Sequence, residues 1–165
     1  MTFEELSKQF KAKKYAPIIV LHGEEGYFID RLAEIIEENA LSEAEKGFNQ
    51  TIFYGKDADA MAVADTARRY PMMSERQVVI LREAQEMRGL NDLAVYAEKP
   101  MPTTLFVVCH KHKKLDERLK FGKTLKANGA ILFESKKLYE NQLPEFVVNY
   151  VSSKKLRIDQ TTAGL

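Results

Sequence analysis

Two stretches of this sequence carry residues whose types and spacing bear on chemistry. The first is His22-Gly23-Glu24-Glu25-Gly26, set between a short apolar run and a segment of helical spacing. A strand–turn–helix of this kind is where phosphates bind, on loop N–H groups and a helix N-terminus. The full pattern, G-x-x-x-x-G-K-[ST], supplies a glycine cradle, a lysine for the phosphates and a hydroxyl for Mg²⁺. Counted from Gly23, the second glycine falls on Phe28, the lysine on Ile29 and the hydroxyl on Asp30. Glu24 and Glu25 add negative charge where phosphates would sit. Gly23, Gly26, Ile29 and Asp30 therefore read as a degenerate phosphate loop that binds no nucleotide. An ordinary turn without nucleotide ancestry fits the loop equally well.

A second defect lies further along. Residues 78–81 form an apolar strand that leads into Arg82-Glu83. An Asp at the first of these positions would hold Mg²⁺; Arg82 cannot, and Glu83 alone lacks a metal and a triphosphate. Two independent defects argue against ATP hydrolysis, and no cofactor is expected. No metal site is expected either. His110-Lys111-His112 has no evident third ligand and reads as a solvated loop. Cys109 lies in an apolar run and reads as a core thiol. Lys111, Lys113, Lys114 and Arg118 are candidates for contact with DNA or with a protein subunit. Only Phe121 interleaves them, so no base-stacking platform is built.

The other stretch is Tyr70-Pro71-Met72-Met73-Ser74-Glu75-Arg76. Two adjacent long apolar side chains stand between a helix and a strand, where polar turn residues are expected. Neighbours at a helix end point about 100° apart, so one core cannot easily take both. Methionine is flexible and polarizable, and it suits a partner's pocket. The alternative is that both cover the end of the sheet.

The elements that must position these residues follow from hydrophobic period. Helices are expected over 2–13, 27–41, 60–69, 90–98, 115–126 and from 141 or 142 to about 153. Strands are expected over 16–21, 48–54, 77–81, 103–109 and 130–133. Alternating strands and helices make an α/β fold: a five-stranded, mainly parallel sheet with helices on both faces. The chain is expected to divide into residues 1–137 and the start of a helical segment at 138–165, as a piece of a longer protein.

Composition fits this and excludes other classes. The 165 residues are 45% hydrophobic and 30% charged, with a net charge of +1. No apolar run is long enough to span a bilayer, no signal-peptide pattern opens the chain, and one cysteine forms no internal disulfide. A cytoplasmic protein without membrane contact is expected. Charge near zero argues against coating nucleic acid by bulk attraction. The mean hides segregation: residues 23–45 sum to −7 and residues 110–126 to +5. These are either solvated faces or contacts to partners of opposite sign.

Read together, VLHGEEGYFID at 20–30, FN at 48–49, ARRYPMMSERQVVIL at 67–81 and KLDER at 114–118 resemble the delta-subunit family of bacterial DNA polymerase III clamp loaders. The resemblance runs in order over essentially the whole chain. It implies an AAA+-like first domain, a P-loop NTPase-type three-layer sandwich with degenerate nucleotide motifs, followed by a helical lid domain. It also implies a role in DNA replication as a non-catalytic subunit of a DNA-directed DNA polymerase, a nucleotidyltransferase only by assembly. The implied partners are the sliding clamp (the beta subunit), other clamp-loader subunits in a hetero-oligomer, and primed DNA indirectly. In the family, two adjacent hydrophobic residues at a helix end enter a pocket on the clamp and favour an opened ring. They fall on Met72 and Met73, flanked by Pro71, Ser74 and Arg76. Family members often carry Leu or Phe there, so a Met–Met pair is a departure. Two other readings remain at this point: a divergent nucleotide-binding P-loop NTPase, and a DNA-binding domain using the basic 111–126 region.

Overall fold

A computed structural model describes residues 1–137. The helix expected from 141 or 142 to about 153, and the lid start at 138–165, lie outside the described residues. The elements run in alternation: α1 (Phe3–Lys11), β1 (Ile18–Gly23), α2 (Gly26–Asn39), α3 (Glu43–Asn49), β2 (Gln50–Tyr54), α4 (Ala60–Ala67), β3 (Gln77–Arg82), α5 (Ala94–Glu98), β4 (Thr104–Lys111), α6 (Lys120–Ala127) and β5 (Ile131–Ser135). Short 3₁₀ turns occupy Ala84–Glu86 and Leu90–Leu93.

The five strands form one sheet in the order β2-β3-β4-β1-β5, and every pair is parallel. Side chains alternate across a strand, so register decides which face each one enters. One ladder crosses the whole sheet through Phe53, Leu81, Val108, Val20 and Leu132. These five pack into a core with Val63 and Ala67 of α4, Tyr96 of α5, and Phe121 and Leu125 of α6. The opposite parity, including Ile19, Leu21, Val107 and Cys109, is equally buried. On that side α2 covers β1, β4 and β5, and α1 packs on α2. With both faces covered, β1 has no exposed position, and its uninterrupted apolar run is accounted for.

Local chemistry sets the helix ends. Thr2 and Glu5 form the capping box of α1, and Asp59 Oδ2 accepts from Ala62 N at 3.0 Å to start α4. Helix α6 ends on Asn128-Gly129, with Gly129 at φ +74° and Ala130 N donating to Leu125 O at 3.2 Å.

Three expectations need correction. The strand expected over 48–54 begins at Gln50, because Ser42 and Glu45 cap an extra helix, α3, that takes Phe48 and Asn49. The helix expected over 115–126 begins at Lys120. Asp116 Oδ1 accepts both the backbone N–H and the Nε of Arg118 at 3.0 Å, and this turn competes with a helix. The helix expected over 90–98 is a 3₁₀ turn followed by five α-helical residues.

Candidate functional site

All strands run the same way, so the two candidate sites lie at opposite ends of the sheet. The loop after β1 and the end of β3 are at the C-terminal edge. The loop 68–76, before β3, is at the N-terminal edge.

At the C-terminal edge the phosphate-loop position is filled by the protein's own charges. Glu25 is the N-cap of α2, and its carboxylate accepts from Tyr27 N at 3.2 Å. A carboxylate thus holds the helix N-terminus that a phosphate would need. Gly23, at φ +128°, lies so close to β5 that a Cβ would meet Ser135 O at 2.2 Å. Ser135 Oγ in turn donates to Glu25 O at 2.7 Å. Lys111 reaches across Gly26 and pairs with Asp30 at 3.4 Å and Glu83 at 3.2 Å. Ile29 is buried in the core beneath α2. Arg82, at the Mg²⁺ position, is bonded to Glu37 of α2. Glu83, at φ +53°, accepts from Gln85 Nε2 at 2.8 Å. That bond, aided by Lys111, holds its carboxyl below the usual range.

The basic candidates separate in space. Lys111 is in β4 and points inward to Asp30 and Glu83. Lys113 and Lys114 are exposed and line an open cavity of about 450 Å³ with Arg88 and Leu119. Arg118 is exposed but tied to Asp116. The solvated loop expected at 110–112 needs correction as well. His110 is a buried residue of β4, with Nδ1 3.0 Å from Lys113 O, and burial lowers its pKa. Facing a carbonyl, that nitrogen must donate. His22 beside it is also buried, and its Nδ1 accepts from Leu115 N at 2.9 Å. Among the described residues, no group of three His, Cys, Asp or Glu side chains is placed to hold a metal ion. Burial pushes the Cys109 thiol up to about 12.

At the N-terminal edge the methionine pair stands clear of the sheet. Met72 is 59% exposed and Met73 101%. They sit on a loop past the end of α4 rather than at a helix end. Met73 has φ +54°, a left-handed conformation that costs a residue with a Cβ about 1–2 kcal/mol. Such strain persists only where surrounding contacts fix it, and here they do. Asn49, buried at the end of α3, accepts from Met72 N at 2.6 Å and donates to Met72 O at 2.8 Å and Glu45 O at 3.0 Å. The Ser74 hydroxyl donates to the Glu45 carboxylate. With the Ser42 bonds, that contact holds the carboxyl near pKa 2. Ser74 Oγ also accepts from Arg76 N at 3.3 Å, and the Arg76 guanidinium lies 4.8 Å from the Tyr15 ring centroid. Gln77, buried at the start of β3, donates to the carbonyls of Thr66 and Arg69 and so closes α4.

Asn49 and Glu45, which hold this loop, are the residues that reading the sequence for chemistry missed. Their signal was the Ser42-x-x-Glu45 capping box, which starts a helix and turns Asn49 towards the loop. Pro71, Ser74 and Arg76 all lie within the anchored loop, with Pro71 next to the Asn49 clamp.

The family model described as "DNA polymerase III, delta subunit" matches residues 20–136, most of the chain. The chain belongs to the DNA polymerase III delta subunit family. A curated member of this family, the delta subunit of Bacillus subtilis (strain 168), is 29% identical over 167 residues, covering 94% of this chain and 48% of that one. The chain therefore spans about half the length of the curated relative it matches. The solved B. subtilis DNA clamp loader delta protein is 26% identical with a TM-score of 0.80, covering 99% of this chain and 51% of that one. A similar fold occurs in the RuvB Holliday junction branch migration motor of Thermotoga maritima, at 16% identity and a TM-score of 0.55, covering 98% of this chain and 53% of that one. The five-stranded parallel sheet, order 2-3-4-1-5, is thus the AAA+-like fold of delta subunits, as the sequence resemblance implied.

Proposed function

We propose that this chain is the clamp-contacting region of a delta subunit, docking on the sliding clamp through Met72 and Met73 and favouring an opened ring during clamp loading. The observation that carries this reading is the fully exposed Met73, in a left-handed conformation on a loop whose backbone the buried Asn49 holds at both N–H and C=O. A loop backbone that is already held spares its own ordering cost on docking, and only the methionine side chains must still be fixed. Burying both side chains contributes about 3–5 kcal/mol before the remaining ordering costs. Opening follows by population shift. A partner moves an equilibrium only by preferring one state, so the loop must fit the open ring better than the closed one.

The chain does this without hydrolysing ATP. Glu25 at the head of α2, the Lys111 pairs with Asp30 and Glu83, and Arg82 on Glu37 all support that reading. Energy for loading then comes from other clamp-loader subunits in a hetero-oligomer, and primed DNA is met through that assembly in the cytoplasm. The test compares affinity for the closed clamp ring with affinity for a clamp whose ring interface is broken by mutation. Tighter binding to the broken ring is expected; equal affinities would remove the opening role.

A further inference from the structure

We infer that the clamp-docking surface continues from the methionine loop onto α3, with Phe48 as its second apolar anchor. This rests on the proposed clamp reading and deepens it. Phe48 is 74% exposed although its neighbour Asn49 is buried. Adjacent helical residues project about 100° apart, so turning Asn49 in towards Met72 turns Phe48 away from the core. The same Asn49 bonds both backbone polar groups of Met72. Phe48 is therefore fixed one residue from the point where α3 grips the loop, and the two segments cannot move independently.

A single exposed aromatic is unremarkable, but a concentration of them marks a contact. Four of the large apolar side chains exposed among the described residues, Phe48, Tyr70, Met72 and Met73, belong to the two segments that Asn49 joins at the N-terminal edge. Aromatic residues and Met are the side chains enriched in protein–protein interfaces over the rest of the surface. The occupant is the clamp because this surface is continuous with the loop proposed to dock there. A wedge held at one point can pivot, whereas a second anchor on a separate element fixes its entry angle. Phe48 is thus a positioning residue as well as a contact.

The test titrates the sliding clamp into the full chain, as wild type, Phe48→Ala, Phe48→Leu and the Met72→Ala/Met73→Ala pair. Phe48→Ala is expected to weaken binding roughly tenfold, with Phe48→Leu recovering part of the loss. Hydrogen exchange on the unmodified protein supplies a readout that needs no variant. Clamp addition is expected to protect amides within 43–49 as well as 70–76. Unchanged affinity for Phe48→Ala, or protection confined to 70–76 while the double methionine variant loses binding, overturns this inference and leaves the proposed function standing. Unchanged affinity for the double methionine variant overturns both.

Discussion

Asn49→Ala is the most informative single change outside the methionines. It removes three hydrogen bonds, from Met72 N and to Met72 O and Glu45 O. Each contributes about 0.5–1.5 kcal/mol net. Met72 is more than half exposed, so water can take over its freed backbone groups, and the lower part of that range applies. The expected destabilisation is about 1.5–2 kcal/mol, which moves the urea midpoint by about 1 M at an unchanged m value. Asn49→Asp is the control: it keeps an acceptor for Met72 N–H but turns a carboxylate oxygen towards the carbonyls of Met72 and Glu45, so it should cost at least as much. The loop loses its anchor in both variants, and clamp affinity should fall with it. A core variant of matched stability loss, such as Val63→Ala, should leave that affinity intact. The reasoning is refuted if Asn49→Ala stays within about 0.5 kcal/mol of wild type, or if Val63→Ala weakens clamp binding as much.

Three further outcomes are expected. Gly23→Ala should destabilise by about 3 kcal/mol or more in thermal melts, because the backbone φ is +128° and the new Cβ would strike Ser135 O; a small shift would mean that β5 can yield. Glu45 should govern part of the acid limb. Its folded pKa, near 2, lies below the ordinary 4.5, mainly because Ser74 donates to it, so the stability it contributes is complete above about 4.5 and lost as pH falls towards 2. Denaturant titrations of Glu45→Gln should show a shallower slope than wild type across that window, and parallel curves would contradict the assignment. Cys109 should resist thiol reagents in the native protein at pH 8 and react on unfolding, since burial holds its pKa near 12; prompt native labelling would contradict its place in the sheet core.

The sheet was legible because five apolar runs separated by helical spacing leave few arrangements, and parallel pairing follows from alternation. The departure from the phosphate-loop pattern needs only residue identities at fixed offsets: Phe28, Ile29, Asp30 and Arg82. The ion pairs at that edge were not legible. Lys111 meets Asp30 and Glu83 only because β1, β3 and β4 end side by side, a juxtaposition that no local pattern encodes. Helix α3 was hidden by its β-like neighbours: Phe48 to Tyr54 alternates well enough to suggest one strand, while the short capped helix overrides the first two positions. Helix α6 was overextended because Leu115 keeps helical spacing with Leu119, four residues on, and the Asp116 side chain breaks the backbone pattern without disturbing that spacing. His110 looked solvated in a run of cations, yet strand β4 carries it inside. The methionine pair was found by its oddity, whereas its support from Asn49, twenty-three residues earlier, could come only from the fold.

The central claim is that Met72 and Met73 dock on the sliding clamp. The most direct measurement is a calorimetric titration of the clamp from the same organism into the full chain, wild type against Met72→Ala/Met73→Ala, with circular dichroism to show that both are folded. Wild type should bind, and the double variant should lose roughly a hundredfold or more in affinity without a change in fold, the loss set by the apolar area withdrawn. Equal binding by the two folded proteins would contradict the claim.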